Sequence, residues 1–392
     1  MSLAMSHPVQ AMPSRRSAET AFQIEVSHDW RSPAWSALLA QGRALPFQHT
    51  DWLEAWYGAF ARSPDLKPLI VTVRDRRTGE LALALPLIAR SERRQRVAEF
   101  ADLNLTDYNA PVLGPAAPRD TEGADNLWRA LCAALDNIDL IRFKKMPVAV
   151  GDRPNPLALI TGTNPCQVNG NLVTTGDDYD AYRYSLERTV RKELERSWRV
   201  FTRHPEAGFR AISDTDEALR LLAVLETQQS TRMHDIGATY VLNEETSAAF
   251  YRNLIVTGLC DGFVMLTALT CGDEIVATLL GVRNDQHYIM IRISNAGAKW
   301  SNCSPGRLII GRTMAHLHAQ GIRQFDFSIG NYAYKRRFDV APVALVDKTA
   351  ALSWRGSPSV VRENAIQWLR RHPGLDNRMR RAFGKTQHSG EA

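Results

Sequence analysis

HYIMIRISNAGAKWSNCSPGRLIIGRTMAHLHAQGIRQFDFSIGNYAYKRRF, residues 287–338, carries the reading of this 392-residue chain. From His287 to Ile293 polar and apolar residues alternate, with Ile and Tyr frequent, which is a strand pattern. Ser304 is of a type that caps helices, and Pro305 is preset for the first helical position. Leu308, Ile309, Met314 and Leu317 then recur at helical spacing, and Gly321 stands where a left-handed stop is expected. Gln324 to Ser328 returns as a strand. A helix opened by Ser-Pro-Gly after a strand turns free backbone N–H groups toward a loop. That end of the helix attracts phosphate, and Gly306 lets an anion approach with no Cβ in the way. The unit therefore suits a phosphorylated cofactor.

Upstream, the order of elements repeats. Strand FQIEVS near Ala21 is followed by an amphipathic helix over Phe47–Ala61, with Trp52, Trp56 and Phe60 on one stripe and Thr50 or Asp51 as cap. Leu69–Arg74 and Leu81–Arg90 form a hairpin about DRRTGE. A helix over Asn126–Leu135 and a strand over Ile138–Lys144 complete a first half. A polar bridge, Asn164 to Gly176, separates it from a second half. There a long charged helix is expected over Tyr182–Arg203, and a second hairpin about CGDE joins Gly262–Thr270 to Glu274–Arg283. No residue-level repeat accompanies this shared order. The expected division is a disordered tail at 1–20, a first domain at 21–165, a second at 166–350 and a basic tail at 351–392.

Composition sets outer limits. Hydrophobic residues make up 44% and charged residues 23%, ordinary for a soluble globular chain. No apolar run reaches the roughly 18 residues of a membrane span. The five cysteines are scattered without a CxxC, which argues for a reducing compartment, the cytoplasm by default, and against a zinc site. The net charge of +6 is concentrated between Arg355 and Lys385, where eight Lys/Arg face Glu363 and Asp376. This tail is either a solvated terminal helix or a peripheral contact with an anionic membrane. No specific nucleic acid is expected, and no metal.

Several residues stand out chemically. Alternation sets Asp326 on the face opposite Phe325 and Phe327, either as a base or as an acid satisfied by backbone N–H groups. Asn331, Tyr332, Tyr334 and Lys335 follow the carboxyl end of that strand, where open α/β sheets place ligands. Asp107, Tyr108 and Asn109 interrupt apolar sequence just before Ala110-Pro111, and either line an acceptor cleft or form an Asx-type turn. Gln229 and Arg232 share a helical face. No Ser-His-Asp order, Walker loop or metal-ligand spacing is present.

The strings DYNAPVL, GDEIVATLLG, SPGRLII and FDFSIGNYAYKRRF resemble acetyltransferases of the GNAT superfamily. The nearest type is CelD/BcsL, associated with cellulose and exopolysaccharide biosynthesis and related to FemAB aminoacyl transferases. The resemblance covers roughly Ala21 to Asp347. It implies an α+β chain of tandem GNAT-like halves, with mixed sheets flanked by helices. It implies an acetyl-CoA or other acyl-CoA donor held by the second half, at Ile291, Ile293, Ser304, Pro305, Gly306, Arg307 and Asn331. Acyl transfer to an amine or hydroxyl follows, with Asp326, Tyr334 and Lys335 catalytic, Tyr334 protonating the departing thiolate. Asp107, Tyr108, Asn109 and Arg232 would meet a small-molecule or saccharide acceptor. SNCSPGR keeps only one glycine of the usual (Q/R)xxGxG/A loop. Two rival readings are an aminoacyl-tRNA-dependent transferase and a non-catalytic accessory protein of polysaccharide synthesis.

Overall fold

The computed structural model describes residues 21–371 except positions 236, 238, 239, 241 and 243. The expected tail at 1–20 and positions 372–392 of the basic tail lie outside the described residues. Two mixed sheets form the frame. The first runs in the order Phe22–Ser27, Leu66–Asp75, Leu81–Glu92, Gln95–Phe100, Leu140–Pro147, Leu345–Ala351, Asn164–Pro165. The second runs Ala207–Ile212, Val264–Cys271, Glu274–Arg283, His287–Asn295, Gln324–Asp326, Gly170–Thr174, Ala341–Val343. Helices flank both sheets, so the α+β architecture of mixed sheets flanked by helices expected from the sequence is the one observed.

Each sheet holds antiparallel hairpins and one parallel pair near its middle. Gln95–Phe100 pairs in parallel with Leu140–Pro147 only at Val97↔Leu140 and Ala98↔Ile141. His287–Asn295 pairs in parallel with Gln324–Asp326 from His287↔Gln324 to Ile289↔Asp326. In both cases the longer strands run on after the pairing ends.

The chain crosses between sheets twice at adjacent places. It leaves the first sheet after Pro165 and enters the second at Gly170; it returns between Val343 and Leu345. The Cys166 N–H donates to the Leu345 carbonyl at 2.8 Å, so the two crossings touch. The strand Leu345–Ala351, near the end of the expected second domain, thus joins the first sheet. Leu345–Ala351 completes the first sheet because the buried strand Leu140–Pro147 needs a partner on its other edge, from Leu345↔Pro147 to Ala351↔Leu140. A helix over Ser357–Arg371, the described part of the basic tail, docks behind it, with Lys144 Nζ 2.6 Å from Glu363.

Other elements moved in detail. The expected single helix over Tyr182–Arg203 is two, Tyr179–Ser185 and Arg188–Phe201, the first capped by Asp178 accepting from the Asp180 and Ala181 N–H groups. The aromatic helix is Thr50–Phe60, and its cap is His49 rather than Thr50 or Asp51. Its aromatic stripe meets Phe250 of helix Glu245–Gly258 in the second half, with Trp52 and Phe250 centroids 5.0 Å apart. One apolar core therefore runs from the first sheet through Phe250, Leu254 and Ile289 of the second half. A second core, around Tyr288, Met314 and Phe325, fills the other face of the second sheet.

The interface between helices Thr50–Phe60 and Glu245–Gly258 holds two acids. Burial first, and then the neighbouring Asp261 carboxyl, push the Asp51 pKa from 3.8 to about 7. A folded-state pKa above the unfolded one means that Asp51 favours the folded state fully below pH ~4 and loses that contribution as pH rises through about 7. Replacing Asp51 by Asn should remove this dependence. The melting temperature of Asp51→Asn, relative to the parent protein, is expected to climb as pH is raised across that window; a constant difference would show that Asp51 is not protonated in the fold.

Candidate active site

The geometry of the site begins where the parallel pair in the second sheet parts. Beyond Ile289 the strand His287–Asn295 continues while its parallel neighbour stops at Asp326. At the same place the register with Glu274–Arg283 slips, Leu280 facing Arg292 and Gly281 facing Met290, so Ile291 is an extra, bulged residue. A bulge leaves a residue outside the ladder and turns the strand. Ile291 and Ile293, both half-buried, thus lie on the arm that diverges.

Alternation sorts the side chains as expected. Phe325 and Phe327 enter the second core, 5.0 Å apart, whereas Asp326 faces the first half. Asp326 is 1% exposed. Its Oδ1 accepts from the Tyr108 hydroxyl at 2.8 Å and from the Ser328 N–H at 2.6 Å, and its Oδ2 lies 3.4 Å from His287 Nε2. Burial, and then the Asp326 charge, raise the Tyr108 pKa far above its ordinary value, so this hydroxyl keeps its proton. Gly170 makes room for the pair: a Cβ there would stand 2.0 Å from the Tyr108 oxygen.

Next to it, the Ser328 hydroxyl bonds Asp107, whose pKa burial pushes upward. Lys335, 2% exposed, donates to the Ile329 carbonyl at 2.6 Å and the Ser328 carbonyl at 3.3 Å. Burial lowers its pKa to about 8, against the opposing pull of Asp107 and Asp326. Asn171 donates to the carbonyls of Ser328 and Gly330 at 2.8 and 2.9 Å. The segment after the strand is thus held from three sides, with Ser328 at φ +63. Two of the Lys335 donors thus go to backbone carbonyls of the turn.

Tyr334 is half-buried against the second core, its ring 6.1 Å from that of Tyr332, which is 57% exposed. Burial raises the Tyr334 pKa to about 12, partly offset by the charge of Arg232. Arg232 and Asn331 are exposed on this side. The structure therefore brings Asp107, Tyr108, Asp326, Ser328 and Lys335 into one seam, with Tyr334 and Arg232 near its rim.

Two expectations change. Asn109 does not face the seam. Its amide donates to Asp102 Oδ2 and the Lys144 carbonyl, both at 2.9 Å, on the opposite side of the 102–109 loop. At the helix start, Ser304 has φ +48 and makes no side-chain cap; its hydroxyl instead accepts from Arg307 at 2.9 Å. Arg307 lies 2.6 Å from Glu193, a carboxylate it shares with Arg337 at 2.7 Å, and its backbone N–H donates to the Ser304 carbonyl, so that N–H is engaged while the two guanidiniums together keep a net positive charge. Pro305 is buried. Gly306 keeps an open flank, where a Cβ would meet only Asn295 Nδ2, at 3.7 Å.

Sequence reading missed Arg292. It is buried behind the bulge, donates to Gln229 Oε1 at 2.7 and 3.0 Å, bonds Tyr240, and lies 4.4 Å over the Tyr251 ring. Glu226 stands 3.5 Å away. The available signal was an arginine inside an otherwise apolar strand, opposite a helix bearing Glu226 and Gln229. Its network fastens helix Thr215–Asp235 to the diverging arm, as does Gln229 Nε2 donating to the Ile293 carbonyl at 2.9 Å. A separate apolar cavity of about 270 Å3 lies on the outer side of helix Pro305–Ala319, away from the seam. Among the described residues no cluster of His, Cys, Asp or Glu could hold a metal ion, and no helix is long and apolar enough to cross a membrane.

Known proteins bear on this geometry. No curated protein matches the chain by sequence. Among solved structures, FemX superposes with a TM-score of 0.55 at 10% identity, over 82% of this chain and 96% of that one. A conserved protein of unknown function from Bacteroides thetaiotaomicron gives 0.50 at 10% identity, over 84% and 100%. A tandem GNAT protein from the clavulanic acid biosynthesis pathway gives 0.45 at 12% identity, over 84% and 99%. At such identities the likeness is one of fold. Residues 188–336, which contain the bulge, the parting strands and the seam's second-half residues, match the family described as acetyltransferase (GNAT) domain.

Proposed function

We propose that the chain is a GNAT-type acyltransferase that seats an acyl-CoA between the diverging strands His287–Asn295 and Gln324–Asp326 and passes the acyl group to an amine or hydroxyl. The observation that carries this reading is the parting of the parallel pair at the Ile291 bulge, inside the segment that matches the GNAT domain. An unpaired strand edge supplies N–H and C=O groups to the amides of an extended ligand, as a further strand would. The open flank of Gly306 at the helix start supports the phosphate end.

The chemistry divides between the halves. The acceptor nitrogen or oxygen attacks the thioester carbonyl; the new C–N or C–O bond forms and the C–S bond breaks. Asp107, partly exposed and with a raised pKa, takes the acceptor's proton. Tyr334 retains its proton at neutral pH and gives it to the leaving sulfur. Asp326, Tyr108 and Lys335 shape the seam from beneath. Orientation within such a seam supplies much of the rate. A polysaccharide acceptor, the CelD/BcsL association and a role in cellulose or exopolysaccharide synthesis belong to this proposal as its specific form.

Titration calorimetry with acetyl-CoA and longer acyl-CoAs should show saturable binding. No heat with any of them, together with tRNA binding that weakens steeply with salt, would transfer the proposal to an aminoacyl-tRNA donor. Tyr334→Phe is expected to lower kcat by about a hundredfold with little change in donor KM. Asp326→Asn should behave differently. It leaves buried donors badly matched and costs about 1–3 kcal/mol of stability, with the folded fraction retaining most of its kcat. A folded, stable Asp326→Asn protein without turnover would reassign Asp326 to the chemistry.

A further inference from the structure

The parallel pair of the first sheet also parts. Gln95–Phe100 and Leu140–Pro147 separate beyond Ala98 and Ile141, and a cavity of about 500 Å3 opens in the gap, within the roughly 300–1,000 Å3 of small-molecule sites. Its lining is charged but balanced: Arg90, Arg142, Lys144 and Lys145 against Glu99, Asp102, Asp347 and Glu363. These groups already satisfy one another. Lys145 lies 2.8 Å from Asp102, Lys144 3.3 Å from Asp347, and Arg90 3.5 Å from Glu99. One lining group is unsatisfied. Asn109 is 2% exposed, and among the described residues its Oδ1 has no hydrogen-bond partner. A buried acceptor without a donor costs about 1–3 kcal/mol, a cost that a ligand's donor would remove.

The charge pattern decides what kind of ligand fits. A nucleotide or other polyanion would meet as many carboxylates as cations. A zwitterion would have to break ion pairs to make its own, at a cost in desolvated charge. Hydroxyl groups need break nothing, since each donates to a carboxylate or to Asn109 Oδ1 while accepting from an adjacent ammonium or guanidinium. We infer that the first half carries its own binding site for a neutral, hydroxyl-rich ligand of the saccharide class, in the gap between its parting strands and under the helix Ser357–Arg371. Loop 102–109 separates this cavity from the seam, presenting Asn109 to one and Asp107 to the other. The inference does not rest on acyl transfer.

The test uses the full chain and saturation-transfer NMR with cellobiose and diacetylchitobiose, with glycylglycine as the zwitterionic comparator and inorganic pyrophosphate, which has no carbon-bound protons and is followed alongside the disaccharides by titration calorimetry, as the anionic one. At least one disaccharide should receive saturation, and Ile366→Trp, which fills the cavity from the helix side, should weaken it by about tenfold or more. Glu363→Lys, which upsets the charge balance at the same wall, serves as a second variant if the first alters the melting temperature. Acyl-CoA binding should be unchanged in both, separating this site from the seam. Absence of transfer to either disaccharide, transfer indifferent to both variants, or stronger transfer to glycylglycine or stronger binding of pyrophosphate would each overturn the inference.

Discussion

A carboxylate as deeply buried as Asp326 must be partnered, and its partners come from both halves. Ser328 N–H and His287 belong to its own sheet, while the Tyr108 hydroxyl reaches in from the other. Removing a buried charge from its partners costs far more than the net worth of the pair. The constraint therefore fixes how far apart the halves can stand, and it reaches outward. Gly170 is required where Tyr108 passes, Ser328 is held in a left-handed turn, and Lys335 and Asn171 brace the carbonyls of that turn. The seam's geometry is the outcome of satisfying one acid.

Much of this was legible in the chain. The period-two pattern at 287–293, the Pro-Gly helix start and the alternation that turns Asp326 away from Phe325 and Phe327 all reflect local rules that tertiary packing left intact. The order of elements likewise announced two related halves. What escaped were features set by partners distant in sequence. The balance of Arg307 against Glu193, the turning of Asn109 away from Asp107, and the Arg292 network each depend on a contact more than thirty residues away. The break between the helices Tyr179–Ser185 and Arg188–Phe201 was hidden for a different reason: its cap, Asp178, lies before the pattern that suggested one helix.

The halves solve one geometrical problem with different chemistry. In both sheets a parallel pair is too short to stay together, and the gap that follows is a place where backbone and side chains can receive something. In the second half the gap has half-buried isoleucines and a bulge. In the first it is walled by paired charges.

The two adjacent crossings of the chain also bear on how the protein comes to exist. Everything in the second sheet, from Gly170 to Val343, lies in sequence between the strands Asn164–Pro165 and Leu345–Ala351 of the first. The first sheet therefore stays incomplete on the ribosome until the entire second half has emerged, with the edge of Leu140–Pro147 open to wrong partners meanwhile. A fragment that stops at the bridge keeps that open edge permanently. The halves look separable in their element order, yet they fold as one transaction, closed by the seven residues Leu345–Ala351.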